Sequence, residues 1–176
     1  MSYIMTSISQ TAGAVALILL SAAGIAHTDG AGDPKAVSSR EGEYLDKDGN
    51  PTFKVANDGT VDWYTYVGYL RYGANCFQCH GPDGLGSSYA PSLVDSLKSL
   101  SYGDFVSTVV SGKKEVNTAQ QQVMPSFGTN KNVMCYIDAI YVYLRARSDA
   151  ALSRQRTEKH APKTDAYTTA ESSCMG

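Results

Sequence analysis

The stretch Cys76-Phe77-Gln78-Cys79-His80 decides how the rest of this chain is interpreted. Two thiols three positions apart, on a chain that turns into a helix, can reach the two vinyl groups along one edge of a porphyrin. The histidine that follows then falls below the metal, where an imidazole is a suitable axial ligand. The C-x-x-C-H spacing therefore predicts one haem c, attached covalently through Cys76 and Cys79, with His80 as an iron ligand.

The charge balance and the first apolar run limit where the protein works. The 15 Lys+Arg and 17 Asp+Glu give a nucleic-acid partner no electrostatic support. The first Asp, Glu, Lys or Arg is Asp29, and the apolar run 12–25 is too short for a bilayer of about 30 Å. We predict a signal peptide over residues 1–26, cleaved near Gly24 and Ala26, with export to the periplasm and no stable membrane insertion. Because no Lys or Arg precedes the run, an uncleaved membrane anchor is the competing interpretation.

The sequence has two cysteines in addition to those of the haem motif, Cys135 and Cys174. An even remainder in an oxidising compartment favours a disulfide, which would tie the last residues to the body of the domain. Such a bond would contribute about 2–4 kcal/mol by restricting the unfolded chain. The alternative is two free thiols, one on a helix and one in a loose tail.

Turn signals and composition set two extensions apart from a central domain. Residues 27–61 predict an N-terminal extension that lacks periodicity up to about residue 40 and then forms a short hairpin or an extended strap. Residues 148–176 are charged and poor in apolar side chains, so we expect an irregular C-terminal extension wrapped on the surface.

The central domain, residues 62–147, shows helical periodicity in three places. Asp62 is a suitable N-cap for an amphipathic helix that ends near residue 75 and leads directly to the haem motif. A short helix is predicted over 104–111 and a long one over 131–147, whose apolar residues recur at three-and-four spacing. Residues 113–123 are polar and without period, which predicts a loop.

The residue that fills the sixth position of the iron decides what such a haem can do. A methionine gives a low-spin site suited to electron transfer, whereas an open position favours ligand binding or peroxide chemistry. Met124 is the predicted ligand, because Pro125 fixes the backbone beside it and a weak thioether ligand benefits from being held. The other candidates lie on a helix face, in the tail and in a charged stretch: Met134, Met175 and His160.

Pro91 lies on the loop that follows the haem motif. We expect its carbonyl to accept a hydrogen bond from the second ring N–H of His80, which would fix the orientation of the imidazole. The alternative is an ordinary loop proline with no role at the iron.

Several short motifs together resemble the class I cytochromes c. A glycine and an aromatic residue, Gly68 and Tyr72, precede Cys76 by eight and four positions, and Tyr143-Leu144-Arg145 matches the aromatic-Leu-basic end of that family's last helix. The remaining motifs are Cys79-His80-Gly81, Gly84-Leu85-Gly86, Pro91-Ser92-Leu93 and Met124-Pro125. The resemblance implies an all-α fold built around one covalently bound haem, in which the first helix crosses the last near the glycine, here with irregular N- and C-terminal extensions.

A narrower resemblance, carried by residues 79–93, 123–128, 132–149 and 171–176, is to the cytochrome cL group. Members of that group are periplasmic electron acceptors of PQQ-dependent methanol dehydrogenases. The resemblance implies an electron carrier, not an enzyme, that takes single electrons from a PQQ-dependent methanol or alcohol dehydrogenase and passes them to another cytochrome c or an oxidase.

Other functions stay open at this point. A haem-based redox or gas sensor would need an open sixth position, and a general-purpose periplasmic carrier would have a different electron donor. A haem peroxidase of the di-haem type would need a second C-x-x-C-H, which this sequence lacks. A basic run could meet an acidic partner or could form a solvated face: Arg145, Arg147, Arg154, Arg156, Lys159 and Lys163.

Overall fold

The computed structural model describes residues 32–116, 121–154 and 156–176, so the predicted signal peptide lies outside the described residues. The strands are β1 (Ser38–Arg40), β2 (Glu43–Leu45), β3 (Pro51–Thr52), β4 (Lys113–Val116) and β5 (Gln121–Met124). The helices are α1 (Trp63–Asn75), α2 (Phe77–His80), α3 (Leu93–Ser96), α4 (Tyr102–Ser111), α5 (Lys131–Met134), α6 (Ile137–Ser148) and α7 (Asp165–Met175). The helical prediction therefore describes the core, but all-α is too strict, because two small sheets are present.

Helices α1 and α6 cross at the centre of the molecule. The Asp62 carboxylate accepts a hydrogen bond from the backbone N–H of Thr65 at 2.9 Å, which confirms the predicted cap of α1. At the crossing, a Cβ on Gly68 would lie 1.8 Å from the carbonyl oxygen of Ala139. Only glycine allows so close an approach, so the glycine expected at the crossing of the first and last helices is where the family resemblance places it.

The predicted long last helix is interrupted. Tyr136 has φ −130° and ψ 15°, which separates α5 from α6. The Tyr136 side chain is buried and its hydroxyl donates to Glu171 of α7 at 2.7 Å, while Cys135 is disulfide-bonded to Cys174. The prediction of one continuous helix over 131–147 was wrong. The apolar residues keep their helical spacing across Tyr136, so the sequence pattern does not show the break. Contacts of Cys135 and Tyr136 with α7 hold the backbone at this point.

The C-terminal extension ends in helix α7, so the prediction of an irregular extension was wrong over Asp165–Met175. Thr164 caps this helix by accepting from the backbone N–H of Tyr167 at 3.1 Å. Tyr167 is buried, with its ring centroid 6.0 Å from that of Trp63 and 5.0 Å from that of Tyr64. One buried aromatic residue and a disulfide anchor α7, which is why its sequence lacks a continuous apolar face.

The N-terminal extension forms an antiparallel sheet in the order β1-β2-β3. The turn between β2 and β3 is closed by Asp46, whose Oδ1 accepts from the backbone N–H groups of Asp48 and Asn50, both at 2.9 Å. The predicted hairpin is therefore present, while β1 falls in the stretch for which no structure was expected. Strand β3 packs against α6 and attaches the sheet to the core. Among the described residues, no helix combines the length and apolarity needed to cross a membrane.

Candidate haem-binding site

An apolar cavity lies between α2, α4, α6 and the end of β5. Three of the predicted site residues, Cys76, His80 and Met124, line it together. Its other walls are aliphatic and aromatic side chains, Phe105, Ile140 and Leu144 among them, and Thr108 also reaches it. The structure therefore brings the thioether of Met124 from a distant part of the chain into the same apolar space as the thiol of Cys76 and the imidazole of His80.

The two motif cysteines sit at the junction of α1 and α2. Neither forms a disulfide; Cys76 is half-buried and Cys79 is exposed. Burial, reinforced by Cys79, raises the pKa of the Cys76 thiol to about 12. Reactive C-x-x-C pairs in oxidoreductases depend on a lowered thiol pKa, so the environment of Cys76 argues against a thiol redox centre.

His80 is buried, and its Nδ1 lies 2.9 Å from the carbonyl oxygen of Pro91. A carbonyl only accepts, so Nδ1 donates and the lone pair of the neutral ring is at Nε2. Two further contacts hold the loop that carries Pro91. The Gly86 N–H donates to the His80 carbonyl at 2.9 Å, and the buried Tyr72 hydroxyl donates to the Gly81 carbonyl at 2.5 Å.

Met124 is the last residue of β5, paired in register with Lys113 of β4. The prediction of a loop over residues 113–123 was therefore wrong. The hairpin was missed because backbone pairing holds it, while its side chains show no alternation of apolar and polar residues. Gly112 begins the turn into it with φ +72°, and a Cβ there would lie 2.6 Å from the carbonyl oxygen of Met124. Close packing at Gly112 thus places the Met124 backbone against the end of α4.

The segment after Met124 is tied to α4 as well. The Ser126 hydroxyl donates to the Val110 carbonyl at 2.5 Å, and the Phe127 N–H donates to the Val109 carbonyl at 3.0 Å. Met124 is therefore held on both sides by backbone contacts, which is the restraint that a weak thioether ligand needs.

The three other candidates for the sixth position lie elsewhere. Met134 packs against the main core, and Met175 packs with Trp63 in a second cluster. His160 stacks on the Tyr66 ring at 3.8 Å between centroids. None of the three is among the described residues that line the cavity.

A disulfide joins Cys135 to Cys174, with an S–S distance of 2.01 Å and a Cα–Cα distance of 5.7 Å. It links the residue after α5 to the last turn of α7. Lys131 adds a second link, because its ammonium group donates to the Met175 carbonyl at 3.0 Å.

The predicted basic run does not form one surface. Arg145 and Arg147 are only 2% and 7% exposed. Arg145 pairs with Asp149 at 2.5 Å, and Arg147 donates to the carbonyl oxygens of Asp83 and Leu152. These two guanidinium groups were expected at the surface but are buried, because carboxylate and backbone oxygens replace the water they would lose.

The residues present fit a covalently attached haem. Two unpaired thiols precede a histidine whose Nε2 carries the lone pair, a thioether lines the same cavity, and the walls are apolar. Such a donor set would suit a six-coordinate haem c. Three of its four members, Cys76, His80 and Met124, line the cavity, and Cys79 is not among the residues that do.

Comparison with known proteins agrees with this chemistry. Residues 67–144 match the family described as cytochrome c oxidase, cbb3-type, subunit III. Cytochrome c-553I of Paracoccus denitrificans is 55% identical over 125 residues, which cover 71% of this chain and 55% of that protein. Cytochrome c-555 of Methylococcus capsulatus is 38% identical over 100 residues, which cover 56% of this chain and 75% of that protein. The crystal structure of the c-type cytochrome XoxG from Methylobacterium extorquens AM1 superposes with a TM-score of 0.75 and 52% identity, covering 80% of this chain and 86% of XoxG.

The chain belongs to the c-type cytochromes and has their class I fold. Membership of this family confirms the predictions of a covalently bound haem c and of an electron-transfer protein rather than an enzyme. The chain spans about half the length of cytochrome c-553I, and three quarters of cytochrome c-555.

Proposed function

We propose that this cytochrome accepts single electrons from a PQQ-dependent methanol or alcohol dehydrogenase in the periplasm and passes them to another cytochrome c or a terminal oxidase. The likeness to XoxG, a cytochrome linked to methanol dehydrogenase, carries the proposal. Because that match covers 80% of the chain, it is longer than the predicted domain 62–147 and includes extension residues. Electron carriers that share a haem-binding core differ mainly in their extensions. Because the match to XoxG includes extension residues, it supports the proposal that the two proteins have related partners.

We assign Cys76 and Cys79 as the residues that would hold the haem through thioether bonds, and His80 and Met124 as those that would bind its iron. The contact between Pro91 and the His80 ring supports a positioning role for the proline carbonyl. Because that contact uses a backbone oxygen, its role does not depend on the proline side chain.

When bound, the haem carries one electron through its ferric and ferrous states. The chain contributes geometry and environment: Pro91 fixes the His80 ring, the β4–β5 hairpin fixes Met124, and apolar walls keep water away. A methionine ligand and burial both favour the reduced state and raise the potential. The transfer breaks and forms no covalent bond, so it needs no general acid or base.

The proposed contact face surrounds Cys79, the exposed cysteine of the motif. Phe77 is 47% exposed and Tyr89 is 73% exposed. The segment of Tyr89 lies against the haem motif, since Ser87 donates to the Cys79 carbonyl at 2.5 Å and accepts from the Tyr89 N–H. Exposed aromatic residues beside a haem attachment point suit the small, short-lived contacts of redox partners.

Stopped-flow mixing tests the donor. A reduced PQQ-dependent methanol dehydrogenase should reduce the ferric cytochrome at least tenfold faster than it reduces an unrelated class I cytochrome c. Tyr89→Ala should slow that step, whereas Leu70→Ala, which removes an exposed apolar side chain of α1 outside the proposed contact face, should leave it unchanged.

Two results would contradict the proposal in different ways. Equal rates for the two cytochromes, with a normal spectrum, would indicate a general-purpose carrier with another donor. A high-spin ferric spectrum with carbon monoxide binding at neutral pH would indicate a sensor with an open sixth position.

A further inference from the structure

Two carboxyl groups meet where the N-terminal sheet touches the core. Glu43 of β2 is only 3% exposed, and the Asp138 carboxyl in the first turn of α6 faces it. Both line a polar cavity on the α7 side of the molecule, lined also by Tyr64 and Cys135. Neither residue lines the haem cavity.

The hydrogen-bond donors around Glu43 and Asp138 reach only some of the carboxyl oxygens of the two residues. Arg40 donates to Oε2 of Glu43 at 3.2 Å, and the Tyr102 hydroxyl donates to Oδ1 of Asp138 at 2.5 Å. Oε1 of Glu43 is fully buried and has no hydrogen-bond partner among the residues that the structure describes. Two ionised carboxylates facing each other with one oxygen unpaired would be costly, so the pair needs one more positive charge or one more donor.

We propose that the buried Glu43 carboxyl keeps its proton up to about neutral pH and that this proton, held in a hydrogen bond between Glu43 and Asp138, latches the N-terminal sheet onto helix α6. A carboxylic acid O–H between the two groups supplies the missing donor for Oε1. It also removes one of the two negative charges that the buried contact would otherwise hold. Packing of β3 on α6 keeps the two carboxyls together.

The environment favours a proton over a metal ion. Calcium takes six to eight oxygen ligands, and the described residues contain no group of three or more carboxylate, histidine or cysteine side chains placed to hold a metal. The guanidinium of Arg40 on Glu43 would also repel a cation. The other titratable or charged groups that face the pair are Arg40, Glu41, Tyr64, Tyr102, Tyr136, Tyr167 and Glu171.

Burial and the facing Asp138 raise the pKa of Glu43 from 4.5 to about 7, while Arg40 opposes the shift. The folded protein then holds this proton roughly 300-fold more tightly than the unfolded chain. Between pH 4.5 and about 7 the folded state therefore binds more protons, so its stability falls as the pH rises through that window. Above neutral pH the latch is open and the sheet is held by its other contacts.

Carboxyl ¹³C NMR of the full-length, reduced holoprotein tests the proton directly. Glu43, assigned by loss of its signal in Glu43→Gln, should titrate with a midpoint near neutral pH, well above its ordinary value of 4.5. Glu41 is the matched reference because it borders the same cavity and is exposed. A Glu43 midpoint close to 4.5 would overturn the proposal.

Urea unfolding between about pH 5 and about pH 8 tests the latch. The wild-type midpoint should fall across this range, Glu43→Gln should show a flatter profile, and Glu41→Gln should follow the wild type. A wild-type slope retained in Glu43→Gln would refute the latch. If calcium chloride alone raised the wild-type midpoint but not that of Glu43→Gln, the site would bind a cation and the proton proposal would be wrong.

Discussion

Replacing Gly68 with alanine tests whether close packing of α1 on α6 sets the fold. The added Cβ would meet the Ala139 carbonyl oxygen at 1.8 Å and the Cβ of Tyr143 at 2.8 Å. No rotamer change relieves a clash between a Cβ and a backbone carbonyl, so the helices must separate by about 1 Å. A gap of that size forfeits up to about half of the dispersion energy of each contact across it.

The expected loss of stability lies at the upper end of the range for overpacked cores. Overpacking costs about 1–3 kcal/mol, and the helix propensity of alanine returns about 1 kcal/mol. Because the clash is with backbone and reaches the Cβ of the buried Tyr143, we take the upper end of the overpacking cost and expect a net loss of about 2 kcal/mol in the free energy of unfolding.

Gly73→Ala is the matched control. Gly73 lies on the same helix, is exposed, and a Cβ there has nothing within 4 Å. Alanine at Gly73 should stabilise the protein by about 0.5–1 kcal/mol through propensity alone. Guanidinium unfolding of both ferric holoproteins, followed by circular dichroism, measures the difference. If Gly68→Ala is as stable as Gly73→Ala, the close approach does not determine the packing.

Two further predictions concern the second iron ligand and the C-terminal helix. Met124→Ala should convert the ferric protein from low to high spin and abolish the weak near-red absorption band of methionine-ligated haem c, whereas Met134→Ala should keep that band. A retained band in Met124→Ala would contradict the assignment. Replacing Cys135 and Cys174 together with serine opens a loop of 39 residues, for which chain entropy gives a loss of about 4 kcal/mol. Urea unfolding measures this loss, and an unchanged midpoint would show that α7 stays docked without the bond.

The sequence indicates the candidate haem-binding residues more directly than it indicates the helices and strands that hold them in place. The roles of Cys76, Cys79 and His80 follow from spacing along one short segment, and such local geometry is readable without a fold. The prediction for Met124 rests on a different signal, because a proline marks a stiff backbone beside it. The structure places His80 and Met124 in one cavity, although forty-four positions separate them in the chain.

The supporting elements depend on contacts between distant segments, which a single sequence does not display. The β4–β5 hairpin is polar, and Gly112 rather than side-chain alternation sets its position against α4. Helix α7 depends on the burial of one residue, Tyr167, and on a disulfide. The break at Tyr136 is likewise caused by α7, so the two errors in the last third of the chain have one origin.

The distribution of charged residues along the sequence was the least reliable basis for prediction. The basic run does not form one surface, which changes the kind of partner contact we expect. The run of six basic residues is divided, because Arg145 and Arg147 are buried, while Lys159 pairs with Asp58 and Lys163 with Glu171. Around the haem motif, residues 72–94 contain one Asp, Glu, Lys or Arg, Asp83, and it is buried between two arginines. Exposed side chains on that face, such as Phe77 and Tyr89, are instead aromatic. Charge steers the approach of a partner, whereas shape and apolar contact determine which partner is held. If the proposed donor docks at this face, we therefore expect its rate of electron transfer to depend more on Phe77 and Tyr89 than on salt.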